Sequence, residues 1–245
     1  METVEYALMD AAEDRMWWYR ALHARLLDAL EGVDGRLLDA GCGTGGLLAV
    51  LARQRPDLAL VGVEWSHTAA RRAAAKSGAP VARGSIAALP LPDGAVDAAI
   101  AADVLCHAAV DPDRAAAELH RVLRPGGRLV VNMPAYPWLA SAHDRRVHNA
   151  RRHTAGQLTD LLRRAGFAYV RVRYWNALLL PLMVAQRKLL ARGEAASDVA
   201  DFPPWLDVIL HGMTRLERRI EHRPGRAWGI PLPAGGSLLA VARRS

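Results

Sequence analysis

Apolar and polar positions along this 245-residue chain alternate between two periods. Short apolar runs predict strands at 36–40, 58–64, 80–84, 95–102, 127–134, 167–175 and 236–243. Between them, apolar residues three and four apart predict helices at 45–54, 67–77, 112–123 and 155–165. Asp111-Pro112 supplies an N-cap and a first-turn proline for one helix, and Thr154 with Gln157 forms a capping box for another. Ahead of the first strand, residues 5–30 read as a helix, with Leu22, Leu26, Leu27 and Leu30 in a stripe after Trp17, Trp18 and Tyr19. Repeated strand–helix alternation predicts a doubly wound α/β sheet of seven strands, mostly parallel, with helices on both faces.

The alternation breaks once. Residues 176–235 carry two candidate helices, 177–192 and 204–221, separated by Phe202-Pro203-Pro204. In the second, Leu206, Ile209, Leu210, Met213, Leu216 and Ile220 share one face, with Arg215, Arg218 and Arg219 largely off it. A single domain over 1–245 follows, with a helical cap at 1–34, a core at 35–175 and 236–245, and the insertion at 176–235. The insertion reads as a packed helix pair; its sharper uses are a substrate lid, a homodimer contact or a lipid-facing surface.

The chemistry concentrates at residues 37–46, LLDAGCGTGG. An apolar strand ends in Asp39, and Gly41, Gly43 and Gly45 follow before a helix begins. Glycine lets backbone amides approach a ligand, so Gly41, Cys42, Gly43 and Gly45 are expected to hold a nucleoside-containing cofactor. Gly41, Gly43 and Gly46 also fit the G-x-G-x-x-G spacing of dinucleotide sites. Asp39 favours a cationic cofactor over NAD, because its carboxylate stands where it can face one. Glu64 ends the second strand, about 20 residues on, where an acid can accept hydrogen bonds from a ribose.

Residues 37–46 resemble motif I of the class I S-adenosylmethionine-dependent methyltransferases almost letter for letter. The resemblance extends over roughly 35–175 and the final strand, and includes the Arg124-Pro125-Gly126-Gly127 turn. It implies a Rossmann-like core with an antiparallel last strand, S-adenosylmethionine as methyl donor and S-adenosylhomocysteine as product, without a metal. Glu64 takes the ribose role in that family. Trp65 can cover the adenine, and Ser85 and Ile86 stand where the family contacts its edge, although the family usually carries an acid at Ser85. Ala102 and Asp103, at the tip of the fourth strand, are expected to touch the cofactor. Arg20 of the cap is expected to pair with the cofactor's carboxylate.

His107 follows Asp103 and is the candidate general base for in-line methyl transfer. Leu105-Cys106 is neither the Pro-Cys nor the Thr-Cys of cytosine-5 methyltransferases, and the Asn/Asp-Pro-Pro-aromatic tetrapeptide of amino-methylating nucleic-acid enzymes is absent. Residues 143–154 resemble a segment of small-molecule methyltransferases, with His153 in place of a tyrosine. His143 and Arg146 are its candidate acceptor contacts. Trp17, Tyr19, Tyr136, Trp138, Tyr174 and Asn176 are candidate walls of the acceptor pocket.

Bulk properties adjust this picture only slightly. The net charge of +7 rests almost wholly on arginine, since lysine occurs only at 76 and 188, so it argues little for nucleic acid. Two cysteines, Cys42 and Cys106, exclude a disulfide framework and point to a reducing cytoplasm. No apolar run reaches the ~20 residues of a membrane span, and no signal region precedes the cap. The expected activity is methylation of a small organic acceptor at oxygen or nitrogen, in secondary metabolism. The alternatives are an RNA-modifying methyltransferase and an S-adenosylmethionine-binding protein that transfers no methyl group.

Overall fold

A computed structural model describes residues 3–141, 144, 148–187, 203–221 and 232–245. The expected acceptor contacts His143 and Arg146 lie outside the described residues, as do 188–192 of the helix expected at 177–192.

The strands are β1 (Arg36–Ala40), β2 (Ala59–Glu64), β3 (Val81–Arg83), β4 (Val96–Ala102), β5 (Leu123–Pro134), β6 (Phe167–Trp175) and β7 (Ser237–Arg244). They form one sheet in the order β3-β2-β1-β4-β5-β7-β6. β7 runs antiparallel to both neighbours and the other pairings are parallel. The order reverses between β1 and β4, and ligands of open α/β sheets bind above such a switch point.

The helices are α1 (Thr3–Ala12), α2 (Trp17–Ala29), α3 (Gly46–Gln54), α4 (His67–Ser77), α5 (Pro112–Val122), α6 (Ala155–Arg164), α7 (Leu180–Ala185) and α8 (Pro204–Glu221). Asp111 caps α5, and Thr154 with Gln157 closes a reciprocal capping box on α6, as the sequence indicates. One face of the sheet buries Leu22 and Leu26 of α2 and its C-cap Leu30 with Leu47 and Leu51 of α3. The other buries Ala115 and Leu119 of α5 with Leu158, Leu161 and Leu162 of α6. The sheet's apolar residues are therefore covered on both sides, as a parallel sheet requires.

Two expectations are corrected. The helix expected over 5–30 is two helices, broken at Glu13–Met16, because Glu13 turns inward to meet Thr44 and Lys76. β5 also begins four residues early, at Leu123, where Val96 of β4 pairs with it ahead of a register shift.

The insertion is anchored by buried charge. Arg25 of α2 and Glu217 of α8 are 1% and 2% exposed and pair at 2.9 Å. Glu217 also accepts the backbone N–H groups of Asn176, Ala177 and Leu178. Its carboxylate therefore fixes the chain leaving β6 to α8. Removing one partner of such a pair leaves an uncompensated buried charge. Glu217→Ala should lower unfolding stability by about 3–5 kcal/mol in denaturant titrations; a loss below about 1 kcal/mol would contradict this anchoring role.

Candidate functional site

The turn after β1 is shaped by backbone geometry. Gly41, Gly43 and Gly45 all have positive φ, at 84°, 55° and 91°. A side chain at Gly45 would also put its Cβ 2.5 Å from the Ala73 Cα of α4. Gly41 and Cys42 donate their N–H groups to the Val63 carbonyl, which ties the turn to the tip of β2. Gly41 also lies against Val104, so the loop after β4 packs on the turn. The Cys42 side chain points away, into a cluster with Leu48 and Ala73, and burial pushes its thiol up.

Three buried carboxylates surround this turn. Glu64 accepts the Gly43 N–H at 3.1 Å, the Ser66 N–H at 2.9 Å and the Tyr6 hydroxyl at 2.9 Å. Glu13 accepts from the Thr44 hydroxyl and from Lys76 and lies against Gly46, the first residue of α3. Burial still raises its carboxyl. Asp39 has a buried Oδ2 with no hydrogen-bond partner. Burial, then Glu64 and Glu13, push its pKa up to about 7. Lys76 is the cation paired with this group, and it serves Glu13, Asp10 and Asp14.

α1 lies over the turn. The Met9 methyl stands 2.7 Å from where a Cβ on Gly43 would be. Tyr6, Met9 and Glu13, at helical spacing, thus face the glycine turn together. The sequence reading missed Tyr6 and Glu13, although that spacing of an aromatic, an apolar and an acidic residue was visible.

A second group lines the rim above β4, β5 and β6. Asp103, Tyr136 and Asn176 follow these strands, with φ of 55°, 56° and 63°. Such non-glycine conformations are held only by surrounding structure and concentrate at functional sites. Both Asp103 oxygens accept from Asn132 Nδ2, at 2.9 and 3.0 Å. Asn132 Oδ1 accepts from Trp175 Nε1 at 2.9 Å. An indole nitrogen only donates, so this bond fixes the amide with its NH₂ toward Asp103. Trp175 is stacked on Trp18 and lies under the Arg25 guanidinium. Burial pushes the Asp103 pKa up to about 6. Asn132 was legible as a strand residue, but nothing in the sequence marked it as a carboxylate's partner.

The other predicted residues divide. Tyr136 stacks on Trp138 and on Tyr174, with centroids 5.4 and 5.0 Å apart, so these three form one aromatic stack. Asn176 is buried, with an unpartnered Oδ1. Trp17 packs with Leu179 and Leu210, and Tyr19 stands beside His23. Arg20 pairs with Asp207 of α8 at 3.6 Å and is about half exposed on its side chain. Ser85 accepts the Ala87 N–H, which closes a turn, while Ile86 is buried. Trp65 is 70% exposed beside Glu64. Ala102 pairs in register with Asn132. His107 bridges to Asn149, and burial pushes its pKa down to about 4. Arg151 donates to the His107 and Val110 carbonyls, and Arg152 grips Asp144, so these arginines pin the loop. A cavity of about 490 Å³ behind that loop is lined by Asn149, Arg151, Arg152 and His153.

The family profile described as a methyltransferase domain matches residues 38–131, from the glycine turn to the end of β5's core. Over those residues, which hold the glycine turn and the first strands of the sheet, the chain is similar to that methyltransferase domain family. A Mycolicibacterium smegmatis protein named a probable S-adenosylmethionine-dependent methyltransferase is 32% identical over 173 residues, 67% of this chain and 64% of that one. The demethylmenaquinone methyltransferase of Thermus thermophilus is 39% identical over 129 residues, 51% of this chain and 56% of that one. The chain thus spans less than two thirds of the length of either relative. A Thermotoga maritima crystal structure, described as an S-adenosylmethionine-dependent methyltransferase and possible histamine N-methyltransferase, superposes with a TM-score of 0.63 at 21% identity. That match covers 98% of this chain and 95% of the other, and shows that the two share a fold.

The Asp39 environment has a thermodynamic signature. The folded protein binds this proton more tightly than the unfolded chain, whose carboxyl ionises near 3.8. Its ionisation therefore lowers stability progressively as pH rises from about 4 to about 7, by on the order of a few kcal/mol. Asp39→Asn should stabilise the ligand-free protein more at pH ~8 than at pH ~5 in thermal or denaturant melts. An equal gain at both values, or none, would count against the buried, unpaired carboxylate.

Proposed function

We propose that this chain transfers a methyl group from S-adenosylmethionine to a small organic acceptor carrying a proton on oxygen or nitrogen. One observation carries the reading: a glycine turn ringed by three buried carboxylates, one of them with a buried oxygen that has no partner. Buried negative charge of this kind is costly unless it meets a positive ligand. S-adenosylmethionine carries a sulfonium and an ammonium, so the residues present fit it.

When bound, this cofactor supplies an electrophilic methyl group on a positively charged sulfur. Glu64 would hold the ribose hydroxyls once the Tyr6 hydroxyl has withdrawn. The Cβ-free backbone of the Gly41–Gly45 turn would let the polar end of the molecule approach closely, and ionised Asp39 would face its positive charge. Tyr136, Trp138 and Tyr174 would exclude water from the acceptor side and orient a flat substrate.

Asp103 is the better placed proton acceptor of the two rim candidates. Its pKa near 6 keeps it ionised at pH 7 while leaving it basic enough to take a proton. His107, pushed down to about 4, stays neutral at that pH and is a weak base. Asn132 holds the Asp103 carboxylate in place, and Trp175 holds Asn132.

Glu64→Ala should weaken S-adenosylmethionine binding by about 1–3 kcal/mol through lost charged hydrogen bonds; unchanged affinity in calorimetric titration would remove Glu64 from the site. Asp103→Asn should cut kcat by about 10²–10⁴-fold with little change in cofactor affinity, whereas His107→Ala should leave kcat within about threefold. The reverse ranking, read with a panel of phenols and amines as acceptors, would return the base role to His107.

A further inference from the structure

We infer that the outward face of α8 docks on a bilayer surface carrying anionic headgroups. The helix has two apolar faces. Leu206, Leu210 and Met213 pack inward with Trp17 and Leu179. A second set, Trp205, Val208, Ile209, Leu216 and Ile220, is 48–68% exposed. At 100° per residue these five fall within about 120° of arc, beside the buried stripe. Among the described residues nothing covers them. Scattered exposed apolar residues are ordinary, but a stripe of this size on one helix marks an interaction surface.

Charge selects the occupant. Each acid on α8 is engaged on the protein side. Asp207 accepts the Trp17 N–H, Glu217 holds Arg25 and the chain after β6, and Glu221 is buried beside Arg25. Arg218 is paired with Asp28. Arg215 and Arg219 are exposed, with no ion pair among the described residues; Arg215 stands at the edge of the apolar arc and Arg219 within it. The outward face is therefore apolar and purely cationic. A second copy laid on it would bring like charges together with no acid to answer them. A bilayer with anionic headgroups answers both features: the stripe enters the boundary of the acyl region, with Trp205 at its end, and the guanidinium groups meet phosphates. The same insertion is tied through Glu217 to the chain leaving β6, so docking would place the acceptor rim near the lipid surface. No helix among the described residues is long and apolar enough to cross a membrane, which makes α8 a surface contact and not a span.

The test uses the full chain with neither methyl donor nor acceptor, so it stands or falls separately from the methyl-transfer reading. Co-sedimentation is measured with phosphatidylcholine vesicles, with and without phosphatidylglycerol. Binding should be at least about tenfold tighter to the anionic vesicles and should weaken with salt. Ile209→Asp with Leu216→Asp, and separately Arg215→Glu with Arg219→Glu, should each reduce it by about tenfold or more while leaving the melting temperature near wild type. These positions are exposed, so the variants should fold. Should either double variant fail to fold, Trp205 emission decides: a blue shift on anionic vesicles that Trp205→Phe abolishes supports the proposal. No binding to anionic vesicles, equal binding to both kinds, or double variants that bind like wild type would overturn it. So would a dimer in sedimentation velocity that Ile209→Asp dissociates, which would assign the face to a second copy.

Discussion

The burial of Asp39 and Glu64 side by side is the constraint on which the rest of the site depends. The parallel register of β1 and β2 places Asp39 opposite Gly62 and Ala40 opposite Val63, so both strands end at one level. Asp39 and Glu64 then project at adjoining tips, and the glycine turn folds back across them through the Val63 carbonyl. Glu64 is satisfied by three donors, whereas Asp39 retains a buried oxygen with none. A carboxylate kept in that state makes sense where a positive ligand completes it. The sheet supplies the rigidity that keeps this unfavourable arrangement from relaxing.

The opposite wall of the cleft is built by a different chain of contacts. Arg25 lies over Trp175, Trp175 orients Asn132, and Asn132 holds Asp103. Glu217 binds Arg25 from the far side and grips the backbone leaving β6. The cap, the insertion and the fourth strand's tip thus meet in one buried network. The members of such a network position one another, so a change in α8 should be felt at Asp103. The left-handed conformations of Asp103, Tyr136 and Asn176 show the rim to be over-determined by its surroundings.

Much of this was legible in the sequence, and the reasons differ by element. Strand and helix positions followed from periodicity because the sheet is covered on both faces, which leaves clear apolar runs. α8 was read at its observed bounds because its hydrophobic stripe and Pro203-Pro204 start are both local signals. The cofactor turn was legible because its glycines answer to local backbone geometry. The break at Glu13–Met16 was not, since it depends on Thr44 and Lys76, distant in sequence. The pairing of Arg20 with Asp207 was not legible either, since the two lie far apart in sequence. Asn132 and Tyr6 act through tertiary partners, so their residue types alone carried no message.

The most direct measurement of the central claim is the proton count on cofactor binding, taken by titration calorimetry at pH ~7 in buffers of different ionisation enthalpy. A cation brought against Asp39, whose pKa stands near 7 in the ligand-free protein, must lower that pKa and expel a proton. The account predicts net release of about half a proton per S-adenosylmethionine bound, abolished in Asp39→Asn. Binding with no proton release, or with uptake, would contradict it.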